Sequence, residues 1–344
     1  MADSLRLSVL DQSPVSEGMT GGQALRNTID LAQFADALGY HRYWVAEHHG
    51  GPSLAGPSPE VLIGPIASNT ERIRVGSGGV MLPHYSPLKV AESFSVLGGL
   101  FPGRIDLALG RASGTDPLTT FALQRDRREV APDDFPQQLV ELLGYLNDDL
   151  PSEHPFARLA KTLPGRPETP EVWLLGSSPQ SAIWAAELGL PYSFADFINR
   201  EGAGIVEHYR KQAEDPHVSV GVWTVCAETD EEAERIASSG AMMMALLRQG
   251  RLVPVPPPEK AMRFVASHGI DLRNPRGGRR RVIGRPETVR AGIERVADEY
   301  GAEEVILVTI TYDHETRRRS YELIADAFGL AGARETPGAA GTRR

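Results

Sequence analysis

An alternation of short apolar runs with longer helical patterns extends through most of this 344-residue chain. Eight runs rich in apolar and β-branched residues predict strands, at Leu5–Asp11, Tyr43–Glu47, Ile73–Val80, Arg104–Gly110, Glu171–Gly176, Pro191–Ala195, Val218–Ala227 and Glu304–Thr311. A helical pattern follows each strand, and several of these patterns stop at a glycine, as helices commonly do. The alternation predicts an α/β fold of the (β/α)8 TIM-barrel type, whose functional residues gather at the C-terminal ends of the strands.

An open dinucleotide-binding sheet is disfavoured, because the first strand ends in Asp11-Gln12-Ser13-Pro14 and no Gly-x-Gly-x-x-Gly opens the first helix. We expect one domain over residues 1–330 and a disordered tail over 331–344, which is rich in Gly, Ala, Pro and Arg. Two insertions interrupt the alternation, at 112–133 and at 248–284. The second follows the seventh helix and precedes the eighth strand, and its length and prolines predict an irregular segment that is a lid loop, a binding loop or disordered.

Composition restricts the classes of partner and compartment. Lys and Arg number 36 against 45 Asp and Glu, so the formal net charge is -9, which argues against nucleic acid or an anionic membrane as the main partner. The single cysteine, Cys226, can form neither an internal disulfide nor a thiolate metal site. No secretory signal opens the sequence, and no apolar run approaches the roughly 18 residues of a membrane span. We therefore expect a protein of the reducing cytoplasm.

A carboxylate and two imidazoles, Glu47-His48-His49, stand at the end of the second predicted strand, just before Gly50-Gly51-Pro52. A metal site needs three or four ligands, and no His-x-His or His-Glu-x-x-His spacing is present, so we predict no metal. Adjacent residues of a strand point to opposite sides, so one histidine is expected to face a pocket. That histidine suits hydrogen bonding or proton transfer; the alternative is that both histidines only support the strand end.

Glycines dominate the end of the third strand, Gly76-Ser77-Gly78-Gly79. Without side chains, this strand end permits the close approach of a flat ligand, or it serves tight packing inside the protein.

The next two strands end in groups that suit an anion. Arg111 follows the fourth strand, and Ser177, Ser178 and Ser181 lie where the fifth strand turns into a helix. A guanidinium and a helix N-terminus both bind phosphate, although an isolated arginine can serve a surface ion pair and a serine can simply cap the helix. Because consecutive strands offer these groups, we predict one phosphate site.

The order of these motifs resembles the bacterial luciferase-like flavin-dependent monooxygenases. The resemblance extends over residues 5–328 and rests on Glu47-His48-His49, the Gly76-Ser77-Gly78-Gly79 strand end, the run Gly103-Arg104-Ile105-Asp106-Leu107-Ala108-Leu109-Gly110-Arg111, and Val282-Ile283-Gly284-Arg285-Pro286-Glu287. It implies that His48 lies beside the flavin and is important for turnover. It also implies a cis peptide bond between Gly78 and Gly79 that supports the flavin ring, with Ser77 beside it, and a phosphate site at Arg111, Ser177, Ser178 and Ser181.

The function implied by the resemblance is the insertion of one oxygen atom of O2 into a small or medium organic substrate. The cofactor is reduced FMN, which a separate flavin reductase supplies, and the protein is expected to be a homodimer. Gly110 stands where the light-emitting members carry a reactive cysteine, which argues against luminescence and predicts a wider pocket. A polyketide-tailoring role in secondary metabolism would fit a bulky substrate.

Two alternatives share this barrel. One is an F420-dependent oxidoreductase that transfers hydride without O2, and the other is a flavin-binding protein without turnover. The basic run 276–281 has three interpretations: a solvated loop, a contact to the flavin phosphate, or a docking patch for the reductase.

Overall fold

The computed structural model describes residues 5–111, 116–124, 126–129, 133–272 and 280–330. Within them, nine parallel strands form one sheet: β1 (Arg6–Asp11), β2 (Arg42–Val45), β3 (Arg74–Met81), β4 (Ile105–Gly110), β5 (Glu171–Gly176), β6 (Tyr192–Ala195), β7 (Val218–Cys226), β8 (Arg281–Gly284) and β9 (Glu304–Val308). Eight of them close a ring, because β9 pairs with both β1 and β7, and β7 also pairs with β6. The predicted (β/α)8 barrel is therefore confirmed.

Helices surround the ring. Those in the described residues are α1 (Gly21–Leu38), α2 (Pro59–Ser68), α3 (Pro87–Leu100), α4 (Pro117–Leu123), α5 (Phe135–Asn147), α6 (Ala157–Ala160), α7 (Pro179–Glu187), α8 (Ala203–Gln212), α9 (Asp230–Leu247), α10 (Pro258–Ser267), α11 (Pro286–Tyr300) and α12 (His314–Phe328). Local sequence sets their ends: Thr20 and Gln23 form a capping box that begins α1, and Gly39 ends it in the left-handed conformation. No helix in the described part of the chain is long and apolar enough to cross a membrane.

The second insertion is more regular than the sequence suggested. Strand β8 pairs with Trp223–Cys226 of β7, and the last three of these residues lie beyond the part of β7 that pairs with β9, so β8 lies outside the eight-stranded ring. Helix α10 begins at Pro258, where the missing N–H of proline is tolerated in a first helical turn. The expectation of irregular chain across 248–284 was wrong at these two elements. Residues 273–279 of the lid and basic run, residues 112–115 of the first insertion and the tail 331–344 lie outside the described residues.

The core has two layers, which follow from the alternation of side chains along each strand. Val218, Val220 and Val222 of β7 belong to the large cluster between the barrel and the helices. Trp223 belongs to the cluster that fills the inside of the barrel with Trp44 and other apolar side chains. The inner layer is therefore packed and ends below the C-terminal mouth of the barrel.

A buried cluster of charges joins four strands at the N-terminal end of the barrel. The Arg42 guanidinium contacts Glu304 Oε1 and Asp106 Oδ2, each at 2.8 Å, and all three side chains are at most 2% exposed. Asp106 also accepts hydrogen bonds from Trp44 Nε1 at 2.9 Å and from Arg74 Nε at 2.8 Å. These contacts link β2, β3, β4 and β9 in one register.

Replacing Asp106 by Asn is expected to destabilise the protein, because Arg42 and Arg74 would lose a buried counter-charge, and breaking a buried pair costs about 3–5 kcal/mol. The measurement is urea unfolding followed by circular dichroism. The control is Lys211→Met, which removes an exposed ion pair with Glu207 and should change the stability by about 0.5 kcal/mol or less. A loss for Asp106→Asn no larger than that of the control would contradict a structural role for the cluster.

Candidate active site at the C-terminal ends of the strands

A cavity of about 490 Å³ opens at the C-terminal mouth of the barrel. Its walls come from the loops after β1, β2 and β6, from β7, from the end of α9 and from the chain that follows α9. The lining residues are Gln12, His48, His49, Gly51, Ser53, Leu54, Asp116, Phe197, Ile198, Trp223, Met243, Met244, Leu247, Gly250, Arg251, Leu252 and Val253. Most of this lining is apolar, which is typical of a small-molecule site.

The first part of the predicted lid covers this cavity. A Cβ atom on Gly51 would lie 3.2 Å from Leu252 Cδ1, so the lid touches the loop after β2. Val255 is fully buried; its N–H donates to the Val15 carbonyl, and its own carbonyl accepts from the N–H of Glu17. Val255 is thus fixed to the barrel, and residues 250–253 form one wall of the cavity.

Glu47 and His49 support the wall of the cavity. The distance from His49 Nε2 to Glu47 Oε1 is 2.7 Å, and Glu47 also accepts from the Met81 N–H at 2.9 Å and from the Tyr85 hydroxyl at 3.0 Å. Glu47 is 1% exposed. The carboxylate therefore ties the end of β2 to the end of β3, and His49 is held by it rather than directed to a metal.

His48 differs from His49 in having a nitrogen available to a ligand. The backbone N–H of His48 donates to the Gly56 carbonyl at 2.9 Å. The buried side-chain Nδ1 of His48 has no hydrogen-bond partner in the described residues. Burial, together with the nearby His49, lowers the pKa of His48 from 6.5 to about 4. The imidazole is therefore neutral at neutral pH and can exchange a hydrogen bond, but it is not a cationic acid there.

Trp223 is a wall residue that the sequence analysis missed. Its indole Nε1 is buried and has no hydrogen-bond partner among the described residues, although buried indole N–H groups usually find one. A signal was available: Val218, Val220 and Val222 alternate on the outer face of β7, which places Trp223 on the inner face near the C-terminal end of the strand. His48 and Trp223 thus present unpaired polar groups from two different strands.

The glycine strand end belongs to β3, which pairs with β2, and it is tightly packed. The Gly78–Gly79 peptide bond is cis, as the family resemblance implied. A Cβ atom on Gly78 would lie 2.6 Å from Leu10 Cδ1, and one on Gly79 would lie 2.6 Å from the Ala108 carbonyl oxygen. Close packing therefore requires both glycines; Gly78 is partly exposed and Gly79 is buried.

Ser77 and Gly110, which lie near these glycines, are both closely packed. The Ser77 hydroxyl is fully buried, donates to the Ala108 carbonyl at 2.9 Å and accepts from the Ala108 N–H at 3.1 Å, so it holds β3 to β4. A Cβ atom on Gly110 would lie 2.9 Å from Met81 Cε. The space expected at Gly110 is thus partly filled by the Met81 side chain.

The predicted phosphate groups lie at two places along α7, with the serines at its start and Arg111 beside its sixth residue, Trp184. The guanidinium carbon of Arg111 lies 5.5 Å from the centre of the Trp184 ring on α7, and Ser178 precedes the first residue of that helix without capping it through its side chain. The Ser181 hydroxyl donates to the Ser178 carbonyl at 2.8 Å and lies 2.9 Å from the Tyr192 hydroxyl. Asn199 donates to the Ser177 carbonyl at 3.1 Å. Arg111 and Ser178 are exposed, whereas Ser181 is engaged within the turn.

The predicted site residues therefore fall into two groups. His48 lines the cavity, whereas Ser77, Gly78, Gly79, Arg111, Ser177, Ser178 and Ser181 do not appear in its lining. The second group occupies the ends of β3, β4 and β5, which lie between β2 and β6 in the ring. Both groups face the same end of the barrel. Among the described residues, no group of three or more His, Cys, Asp or Glu side chains is placed to hold a metal ion.

A (β/α)8 barrel with a cavity at the C-terminal ends of its strands is typical of enzymes, whose active sites lie at that end of the barrel. Sequence comparison makes this specific: the profile of the luciferase-like monooxygenases matches residues 5–304. The chain is 46% identical over 330 residues to the uncharacterised protein YwcH of Bacillus subtilis (strain 168), with 94% of this chain and 98% of YwcH covered. It is 38% identical over 333 residues to the N-acetyl-S-alkylcysteine monooxygenase of the same organism, with 94% and 98% covered.

The crystal structure of apo-MsnO8 has the same fold, with a TM-score of 0.86, 40% identity, and 96% of this chain and 99% of that chain covered. The chain belongs to the luciferase-like monooxygenase family. The resemblance found from the sequence and the interpretation of the protein as a monooxygenase of this flavin-dependent class are confirmed.

The lowered pKa of His48 predicts a specific dependence of stability on pH. Below pH 6.5 the unfolded chain binds a proton at His48 that the folded protein binds only near pH 4, so stability falls as the pH decreases through this window. Between pH 7 and pH 5 this contribution is about 2 kcal/mol. Urea unfolding of the wild type and of His48→Gln at both pH values measures it, because the difference between the two proteins cancels the other titrating groups. An equal loss of stability in both proteins would show that the pKa of His48 is not lowered.

Proposed function

We propose that the protein is a reduced-FMN- and O2-dependent monooxygenase that inserts one oxygen atom into a small or medium organic substrate, with the flavin supplied by a separate reductase. The observation that carries this proposal is the position of the lidded cavity. His48, which follows the strand that pairs with β3, lines the cavity and has an unpaired, buried Nδ1. Membership of the luciferase-like monooxygenases supports the same reaction.

The residues at the ends of β3, β4 and β5 fit a flavin. Gly78 is partly exposed and neither Gly78 nor Gly79 carries a side chain, so this strand end suits the close approach of a flat ring system. Arg111 and the first turn of α7 suit a phosphate, because the guanidinium carries charge and the first backbone N–H groups of a helix have no partner within it. Of the serines, Ser177 and Ser178 lie at this turn, whereas the hydroxyl hydrogen of Ser181 is already donated to Ser178. We assign Ser181 the role of holding the turn.

When bound, the reduced flavin would supply the two electrons with which one atom of O2 enters the substrate and the other leaves as water. The protein orients the reactants and excludes water. His48, neutral at neutral pH, offers a hydrogen bond at Nδ1, and Glu47 fixes the backbone beside it through His49 and Met81. Leu252 and Val255 hold the lid closed over the cavity. Water exclusion favours oxygen transfer over loss of the oxygen as peroxide.

The partners and the metabolic role remain predictions from the family resemblance. The homodimer is one of these predictions. The N-acetyl-S-alkylcysteine monooxygenase acts, by its name, on a thioether of modest size. A substrate of that size would fit the cavity, and a role in secondary metabolism depends on the substrate.

Oxygen uptake with photoreduced FMN and a panel of thioethers and ketones tests the reaction, with product detected by mass spectrometry under ¹⁸O2. We expect labelled product from the wild type. His48→Ala should bind FMN with nearly unchanged affinity and lower the product yield about 100-fold, which is within the usual effect of a proton-handling or hydrogen-bonding group. Hydride transfer from reduced F420 without oxygen uptake, or flavin binding without any product, would contradict the proposal.

Replacing Arg111 by Ala tests the phosphate site. We expect the affinity for FMN to fall about 10- to 100-fold, because a charge-assisted hydrogen bond to phosphate is lost, and the affinity for riboflavin to stay nearly unchanged. Flavin fluorescence titration measures both constants. Arg128→Ala, which removes an exposed arginine paired with Asp126 in the insertion that follows Arg111, is the matched control. Equal losses for FMN and riboflavin would rule out a phosphate role for Arg111.

A further inference from the structure

The lid places one unpaired cation against a largely apolar cavity. Arg251 lines the cavity and forms no ion pair within the part of the chain that the structure describes. Its backbone N–H donates to the Leu246 carbonyl at 2.9 Å, which fixes the residue directly after α9. The backbone of Arg251 is therefore held at the edge of the cavity, and its exposed guanidinium can pair with an anionic group of a ligand.

The other charged groups of the lining are already engaged. The carboxylate of Asp116 caps α4, since Oδ1 accepts from the backbone N–H groups of Leu118 and Thr119 and Oδ2 accepts from the Thr119 hydroxyl. His49 is paired with Glu47, and His48 is neutral at neutral pH. The cavity consequently offers a positive group to a ligand and no equivalent free negative group.

A second donor lies in the same wall. The buried Trp223 Nε1 has no partner among the described residues, and Trp223 packs in one cluster with Met243 and Met244. An indole N–H only donates, so it requires an acceptor from the ligand. The flexible side chains of these methionines form an apolar surface that can pack against apolar groups of different shapes.

We propose that the substrate is an amphipathic carboxylic acid. Its carboxylate binds Arg251, and its apolar part packs on Met243 and Met244. A second acceptor group of the substrate accepts a hydrogen bond from Trp223 Nε1. This inference rests on the proposed function in one respect, because it names the bound acid as the substrate of the oxygenation. An uncharged ligand of the same shape would cover Arg251 and remove water from it without supplying a counter-charge, which costs free energy.

Calorimetric titration of the full-length protein saturated with oxidised FMN tests the inference without turnover. The probes are N-acetyl-S-butylcysteine and hexanoylglycine, each paired with its methyl ester. We expect both acids to bind about tenfold more tightly than their esters, as the loss of a charge-assisted hydrogen bond implies. Arg251→Met should abolish this difference by weakening the acids alone, Arg251→Lys should keep part of it, and Trp223→Phe should weaken acid and ester alike.

Arg248→Met is the matched control, because Arg248 follows α9 three residues earlier, is exposed and does not line the cavity. It should bind all four probes like the wild type. Equal affinity of acid and ester, no binding of either acid, or equal effects of Arg248→Met and Arg251→Met would overturn the inference.

Oxygen uptake with reduced FMN, measured on the same probes, separates the two proposals. Acids that bind through Arg251 but are never oxygenated would contradict the proposed function and leave the carboxylate site standing. Oxygenation of the esters that is unaffected by Arg251→Met would support the function and overturn the carboxylate site.

Discussion

The buried contact of Arg42 with Asp106 and Glu304 is the constraint on which the arrangement of this barrel depends. These three side chains are almost inaccessible to solvent, and they connect β2, β4 and β9 across the inside of the ring. A buried guanidinium must be matched by carboxylates at fixed positions, so the register of these strands has one solution. The register of the strands at the N-terminal end determines which residues lie at the C-terminal end of the barrel. His48 and Trp223 lie there, and both line the same cavity.

The candidate site has two neighbouring parts with different physical character. The ends of β3, β4 and β5 carry tightly packed glycines and the serine turn before α7, to which we assign the flavin ring and its phosphate. The cavity between the β2 and β7 sides is apolar, covered by the lid, and carries a few unpaired polar groups. A cofactor on the first part and a substrate in the second would meet beside His48, whose neighbours Glu47 and Met81 fix the boundary between them.

The sequence predicted some of these parts because local chemistry specifies them. The strand that ends in Glu47-His48-His49 and the glycines of β3 were recognisable from their residues, and their positions agree with the barrel. Other parts depended on contacts between distant segments. Strand β8 is only four residues long and forms because β7 extends beyond β9. The prolines around α10 made its helical pattern hard to recognise in the sequence. The Met81 side chain partly fills the space expected at Gly110.

The sequence by itself determined the fold class, the family and the strand ends that carry the chemistry, because hydrophobic periodicity and glycine placement are local properties of the chain. Only the tertiary structure decided which polar groups are satisfied. It showed that Ser77 and Ser181 are already hydrogen-bonded, that His49 is held by Glu47, and that His48 Nδ1 and Trp223 Nε1 are left unpaired. Hydrogen-bond satisfaction and the pKa of a buried group depend on neighbours brought from remote parts of the chain, and no local pattern contains that information.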